Sequence, residues 1–116
     1  MREIKFRAWN EDKKEMAYVS YMNFDNYELW LQNESGTWYS PRYYIQYIMQ
    51  YIGLKDKNNK EIYEGDIVEC IRDGDVLWGE LVVIEDIRDI PRALYGSNLV
   101  SREVVGNIYE NQDILL

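Results

Sequence analysis

Histidine is absent from this chain of 116 residues, and its absence limits the chemistry that the side chains can perform. The commonest general base, the Ser-His and Cys-His nucleophiles and the usual zinc ligands all require an imidazole ring. Cys70 is the single cysteine, so no internal disulfide can form. It lies between Glu69 and Ile71 in an alternating run, with no neighbouring cation to activate the thiol. This context indicates a buried, inert residue rather than a nucleophile.

Pairs of carboxylates are the remaining candidates for acid–base catalysis or metal binding. "EGD" at 64–66 and "DGD" at 73–75 each place two acids around a glycine, a spacing that is typical of tight turns. The stretch 56–67 fails as a calcium loop because Lys60 occupies a ligand position. No glycine-rich phosphate loop is present either. The sequence therefore predicts no catalytic residue, no metal site, no cofactor and no enzyme activity.

The strongest candidate for a contact surface is a segment dense in aromatic side chains between Gly36 and Leu54. Its predicted partner-binding residues are Trp38, Tyr39, Arg42, Tyr43, Tyr44, Tyr47 and Tyr51. Three interpretations compete: packing against the protein's own core, contact with a protein partner or a second copy, and stacking of single-stranded nucleic acid. Stacking surfaces normally carry several cations, and Arg42 is the only charged residue in this segment.

Negative charge is concentrated in the second half of the chain, whose formal net charge is −8. Residues 1–60 carry nine Lys/Arg and eight Asp/Glu, whereas residues 61–116 carry four and thirteen. Such a surface repels phosphates, so duplex nucleic acid is not an expected partner. Solubility is the simplest explanation of the acids. The alternative is an acidic decoy that occupies the basic site of a nucleic-acid-binding host protein.

Alternating apolar residues predict short strands along the first half of the chain. "REIKFRAW" and "MAYVSYM" form one predicted hairpin, and "YELWLQ" and "GTWYS" form a second one that closes at Gly36. The next segment is ambiguous, because Ser40, Pro41 and Gly53 resemble helix boundaries while its Tyr and Ile residues favour strands. We predict a short helix over about 41–47, followed by a strand from about residue 48.

Turn residues dominate the pattern of the second half. Asn58 and Asn59 predict a two-residue hairpin turn, Gly79 predicts a bulge or a bend, and Gly106 predicts a bend. Short strands at this spacing predict a small SH3-like barrel over 48–116, with the N-terminal hairpins and helix of 1–47 packed on it. The predicted fold is therefore mainly β, a β-rich α+β arrangement in a single domain of residues 1–116.

Three stretches of sequence resemble the YopX family, small proteins of bacteriophages and prophages of Gram-positive bacteria. They are "REIKFRAWN", "MQYIGLKDKNNKEIYEGDIV" and "EVVGNIYENQDILL". The resemblance implies a phage- or prophage-encoded, soluble, mainly β protein. It implies no activity and no catalytic residue, since the recurring residues are mostly turn formers and strand hydrophobes.

These observations favour a non-enzymatic accessory protein that acts by binding another protein, of host or phage origin, and that forms homo-oligomers. The acidic decoy is the first alternative, and a module for single-stranded nucleic acid is a weaker one. With one cysteine, no signal peptide and no long apolar run, we expect the bacterial cytoplasm and no membrane contact.

Overall fold

The computed structural model describes residues 3–26, 28–40, 46–85, 88 and 90–115 of the chain. Nine antiparallel strands and two short helices lie within these residues, which confirms the mainly β prediction. The chain divides into two compact units, Glu3–Gln50 and Tyr51–Leu116. Each unit has its own buried core.

The first unit is built from an antiparallel sheet. Its strands are β1 (Phe6–Asn10), β2 (Glu15–Asn23), β3 (Glu28–Asn33), β4 (Gly36–Ser40) and the first half of β5 (Gln46–Lys55). They are ordered β4-β3-β2-β1-β5 across the sheet. Consecutive strands from β1 to β4 are therefore neighbours joined by short turns, as the two predicted hairpins require.

One face of this sheet carries the core of the first unit. Ala8 lies opposite Ala17 on β2 and opposite Ile48 on β5, while Leu31 lies opposite Val19. Ala8, Ala17 and Leu31 have no exposed surface. Because side chains alternate along a strand, the residues between these positions point to the opposite face.

Short polar segments make the turns of the first unit. The side-chain oxygen of Asn10 accepts hydrogen bonds from the backbone N–H groups of Asp12 and Lys13, at 3.0 and 3.2 Å. Lys14 then adopts a left-handed conformation with φ 55°, and Gly36 has φ 129° in the second hairpin. Gly36 is therefore used as predicted, at a position where a Cβ would be strained.

The second unit contains a three-stranded sheet and a two-stranded pairing. Its elements are β6 (Glu61–Tyr63), β7 (Asp66–Asp73), β8 (Leu77–Val83), α1 (Ile90–Ala93), β9 (Leu99–Asn107) and a 3-10 helix (Gln112–Leu115). β6 pairs with the second half of β5, and the other three strands are ordered β8-β7-β9. The core combines one face of the three strands with β5, β6 and α1, through Ile52, Ile62, Val68, Cys70, Ile84, Ile90, Ala93 and Leu94.

The loop between β5 and β6 is held by the carboxylate of Asp56. Its Oδ1 accepts hydrogen bonds from the backbone N–H groups of Asn58 and Lys60, at 2.8 and 2.9 Å. Its Oδ2 accepts another from Val104 on β9, at 2.9 Å. Within this loop, Asn59 alone has a positive φ, 66°. The predicted two-residue turn is therefore wrong: the strands close at Lys55 and Glu61 around a five-residue loop organised by one buried acid.

The turn between β6 and β7 is organised in a similar way. Gly65 has φ 88°, its N–H donates to the carbonyl of Ile84, and its carbonyl accepts from Ile108. Asp66 is 1% exposed, and its Oδ2 accepts the N–H of Tyr63 at 2.8 Å. The stretch "GLKDKNNKEIYEGD" therefore encodes two turns that are fixed by hydrogen bonds to the backbone. This explains why its residue types are so specific although none of them is reactive.

Several finer predictions differ from the structure. Neither sheet closes on itself across the described strands, so the SH3-like barrel is not confirmed. Residues 41–45 of the predicted helix lie outside the described residues, and Tyr47, assigned to that helix, lies in strand β5. Gly79 pairs with Ile71 in an unbroken register, so of the two alternatives predicted there the bulge is wrong.

A candidate protein-contact surface

Five aromatic side chains stand on the face of the first sheet opposite its core. We call them the aromatic face: Tyr18, Tyr21, Trp30, Tyr39 and Tyr47. Each of them is between 39% and 51% exposed. Residues paired across an antiparallel sheet share a face, and the pairings place all five on one side.

Three members of the aromatic face form a row across neighbouring strands. Tyr21 on β2 lies opposite Trp30 on β3, and Trp30 lies opposite Tyr39 on β4. The ring centroids of Trp30 and Tyr39 are 5.2 Å apart, and the ring planes are tilted by 48°. This separation is within the range of favourable aromatic pairs, so each ring restricts the other before any partner arrives.

The other two members flank the central strand β1. Tyr18 lies opposite Arg7, and Tyr47 lies opposite Trp9. Arg7 and Trp9 are only 6% and 4% exposed, although they occupy positions on the same face. The indole N–H of Trp9 donates a 2.8 Å hydrogen bond to the carboxylate of Glu11. The buried side chains of β1 therefore lie between Tyr18 on one side and Tyr47 on the other.

A β-bulge on β2 is what places Tyr18 and Tyr21 on the same face. Residues three apart on a regular strand point to opposite sides of the sheet. The register between β2 and β3 shifts between Val19 and Tyr21, and Ser20 at the shift donates from its Oγ to the carbonyl of Trp30, at 3.2 Å. Met22 consequently packs against the core beyond the bulge, and Tyr21 faces outward.

The predicted partner-binding residues are distributed over several environments. Tyr39 and Tyr47 belong to the aromatic face. Trp38 lies on the opposite side, half-buried against the core, with its Nε1 buried and without a hydrogen-bond partner among the described residues. Tyr51 belongs to the second unit, is 5% exposed, and has its ring 5.6 Å from that of Tyr63. Arg42, Tyr43 and Tyr44 lie outside the residues that the structure describes.

Sequence reasoning missed Tyr18, Tyr21 and Trp30. A signal was present for two of them, since Tyr18 and Trp30 stand between apolar neighbours at positions that an alternating strand turns toward solvent. Tyr21 could not have been assigned in this way, because the bulge reverses the alternation before it.

The potential chemistry of Cys70 is restricted by its surroundings. The side chain is completely buried, and its Sγ lies 3.6 Å from the carbonyl oxygen of Ala93. Burial raises the pKa of the Cys70 thiol, so the reactive thiolate is disfavoured. Across the described part of the chain, no three His, Cys, Asp or Glu side chains are grouped as metal ligands.

A pocket of about 270 Å³ lies in the second unit between the β5–β6 loop and β9. Two of the cations that line it, Lys57 and Arg102, already make contacts within the protein. Lys57 forms an ion pair of 3.6 Å with Glu103, and the Nε of Arg102 donates to the carbonyl of Lys55 at 3.0 Å. These contacts attach the loop to β9, which makes the pocket a structural junction.

The fold and surface described above define a small, strand-rich protein with an exposed aromatic sheet face. No helix in the described residues is long and apolar enough to cross a membrane. The family model described as "YopX protein" matches residues 5–116, so the chain belongs to the YopX family. A search of curated proteins found no match. Among solved structures, the chain is similar to protein EF1440 from Enterococcus faecalis, with 25% identity, a TM-score of 0.55 and full coverage of both chains.

Proposed function

We propose that this YopX protein has no catalytic activity and acts by binding another protein through its aromatic face. The observation that carries the proposal is the exposure of five Tyr and Trp side chains, each 39% to 51%, on one side of a single sheet. Tyr and Trp are the residues most enriched at the energetic centres of protein interfaces. Their rings have few rotatable bonds, so ordering them on binding costs little entropy.

The size of the surface supports a protein partner. With about 200 Å² for each aromatic side chain, the exposed fractions sum to roughly 450 Å², of which roughly 360 Å² belongs to Tyr18, Tyr21, Trp30 and Tyr39 on one side of β1. Single scattered aromatic residues need no explanation, but a patch of about 300–600 Å² is commonly functional. A stable interface buries about 800 Å² on each partner, so the aromatic face would form its centre and polar residues its rim.

The charges of the first unit favour a protein over single-stranded nucleic acid. A nucleic-acid stacking surface combines aromatic rings with cations that follow the phosphates. Within the described strands of the sheet, Arg7 is the one cation on this face, and it is 6% exposed. Residues 1–50 contain six Lys/Arg and seven Asp/Glu, so no excess positive charge attracts a polyanion.

The acidic decoy is second to this proposal because several acids are engaged inside the second unit. The carboxylate of Glu103 contacts Lys57 and Asn58, that of Glu80 contacts Arg72, and Asp56 accepts backbone N–H groups. These carboxylates are less available to imitate rows of phosphates. Binding of a basic partner that weakens steeply with added salt, and that does not depend on the aromatic face, would favour the decoy instead.

Site-specific photo-crosslinking tests the proposal. A photo-reactive residue in place of Trp30 should capture, in the native bacterium, a protein that mass spectrometry identifies, and the same residue in place of Tyr95 should not. The identified partner is then purified, and its dissociation constant is measured against matched double variants. Trp30→Ser/Tyr39→Ser removes two members of the aromatic face, and Tyr95→Ser/Val100→Ser removes two exposed apolar side chains of the second unit, one in a loop and one on β9.

We expect the first double variant to weaken binding by at least about 30-fold, the effect of losing one interface hot spot, with the control close to the parent chain. Equal affinities for the parent chain and for Trp30→Ser/Tyr39→Ser would reject the aromatic face as the contact surface. Turnover of a substrate by the purified chain would reject the non-enzymatic function.

A further inference from the structure

Strand β8 is an open edge of the three-stranded sheet and is unusually apolar for such a position. Its sequence, LWGELVV, contains one charged residue. Leu77, Trp78 and Leu81 are 66%, 43% and 44% exposed. An exposed edge strand presents unpaired backbone N–H and C=O groups, and apolar side chains beside them favour the addition of another strand.

The two edge strands of this sheet, β8 and β9, differ in whether another segment of the chain covers them. β9 is covered by the β5–β6 loop, since Lys57 donates its N–H to the carbonyl of Arg102 and the carboxylate of Asp56 accepts from Val104. Over 77–83, all of which the structure describes, backbone hydrogen bonds join β8 to β7 alone.

Three of the common protections against strand addition are absent from β8. Edge strands are commonly interrupted by lysine, proline or a bulge. β8 contains neither residue type, and its register with β7 is regular from Leu77 to Val83. Its one charge, Glu80, is engaged by the Nε of Arg72 at 2.8 Å.

Acidic side chains surround this edge. Asp73 is exposed at the end of β7, Asp75 is exposed in the turn before β8, and Glu85 is exposed just after β8. Glu69 on β7 lies opposite Leu81. Arg72, on the neighbouring strand β7, is 7% exposed and donates to Glu80 and to the carbonyl of Ala93, so it offers little positive charge to a ligand.

We infer that β8 binds an extended, basic segment of a partner protein, which adds to the sheet as a fourth strand. Main-chain hydrogen bonds to the open edge supply affinity, and alternate side chains supply selectivity. Apolar side chains of the segment would cover Leu77 and Leu81, while its Lys or Arg residues would lie near the acids at the two ends of β8. This site is on a different unit from the aromatic face and does not depend on the proposed function.

A second copy of the chain fits this edge less well. Antiparallel pairing of two β8 strands would bring Asp73 and Asp75 of one copy close to Glu85 of the other. Residues 51–116 also contain seven Lys/Arg and fourteen Asp/Glu, so two such units repel each other. The charge around the edge therefore selects a basic occupant.

Synthetic peptides of about nine residues, a typical strand length, test this inference with the full chain. The first alternates Val with Lys, and the second alternates Val with Glu. The third is the Val/Lys peptide with methyl groups on two adjacent central backbone nitrogens, which block both hydrogen-bonding edges. Isothermal titration calorimetry gives the affinities, and amide NMR signals locate the site.

We expect the unmodified Val/Lys peptide to shift the amide signals of residues 77–83 and to leave the indole signal of Trp30 unchanged. The Val/Glu and methylated peptides should bind at least about tenfold more weakly, because they lose charge complementarity and main-chain bonds respectively. Equal affinity of either one with the Val/Lys peptide would overturn the inference, as would shifts confined to the aromatic face.

A substitution on the protein completes the test. Leu81→Lys should weaken binding of the Val/Lys peptide by about tenfold or more, since the substitution removes an apolar contact and adds a charge of the same sign as the peptide's lysines. Val100→Lys likewise replaces an exposed apolar residue with lysine, but on β9, where the residue is 58% exposed. It should have little effect on the affinity for the peptide. If Leu81→Lys does not fold, as judged by circular dichroism, Leu77→Lys replaces it. Unchanged peptide affinity, or self-association of the parent chain that Leu81→Lys abolishes, would overturn the inference.

Discussion

The backbone N–H of Val104 donates a 2.9 Å hydrogen bond to the Oδ2 of Asp56, across 48 residues of sequence. The other carboxylate oxygen accepts the N–H groups of Asn58 and Lys60, and the residue is 7% exposed. One buried acid therefore shapes the loop after β5 and fastens that loop to β9. Sequence motifs of this kind carry structural information rather than catalytic residues.

Replacing Asp56 with Asn should lower the free energy of unfolding by about 2–3 kcal/mol. An amide cannot accept hydrogen bonds on both sides, so its NH₂ group must face at least one backbone N–H donor that is then left unsatisfied. Urea denaturation measures the change. Asp75→Asn, at an exposed turn position, should stay within about 0.5 kcal/mol of the parent chain. Equal losses in the two variants would contradict the anchoring role of Asp56.

The contribution of Asp56 to stability should depend on pH. Burial alone would raise the pKa of this carboxyl, but hydrogen bonds from the backbone N–H groups of Val104, Lys60 and Asn58 lower it below the ordinary value. A carboxyl with a lowered folded-state pKa contributes fully above its unfolded pKa of about 3.9, and the contribution is lost as the pH falls through the folded-state pKa.

Urea denaturation of the parent chain and Asp56→Asn at a series of pH values tests this dependence. We expect a constant stability difference above about pH 5 that shrinks below about pH 4. A difference that remained constant into strong acid would show that the carboxylate is not held in its ionised form.

Gly65→Ala should destabilise the protein by at least about 1–2 kcal/mol, because a Cβ is strained in the left-handed conformation that this residue adopts. The φ angle of Gly65 is 88°, and both of its backbone polar groups are hydrogen-bonded, which prevents the turn from relaxing freely. Gly74→Ala is the matched control, since a Cβ there would meet its nearest atom, the indole nitrogen of Trp78, at 3.7 Å. Thermal unfolding should separate the two variants, and a Gly65→Ala melting temperature equal to that of Gly74→Ala would refute the strain argument.

Cys70 should react with a thiol reagent about 100-fold more slowly in the native protein than in urea. Its side chain is completely buried, and burial raises the pKa of the thiol, so both access and the thiolate fraction are low. The absorbance of the released thiol product gives the rate, with Cys70→Ala as the blank. Rapid modification of the folded chain would show that the thiol is accessible.

Local sequence patterns predicted much of the strand content. The alternation around Phe6 and Ala8, the glycine at 36 and the short turn at 64–66 each depend on conformational preferences that act over a few residues. Tyr47 could not be assigned in this way, because "SPRYYIQYI" contains both helix-boundary residues and strand-forming side chains. In the structure Tyr47 lies in a strand, where it pairs with Trp9, 38 positions earlier in the chain.

The binding surface was only partly predictable for a related reason. Tyr39 and Trp38 are adjacent and chemically similar, yet one is exposed and the other packs against the core. Alternation shows that they face opposite sides, but it does not show which side is covered. To know which side is covered, one must know the residues that lie opposite Leu29 and Leu31, and these are on other strands.

The sequence by itself therefore determined the strand-rich composition, the turns that need glycine and the absence of histidine chemistry, because these depend on residue type and short-range sterics. Only the tertiary structure decided which aromatic rings form the exposed face, that Asp56 anchors β9, and that β8 is left as an open edge. Each of these features depends on contacts between residues far apart in sequence, which are fixed by strand order and register rather than by local preference.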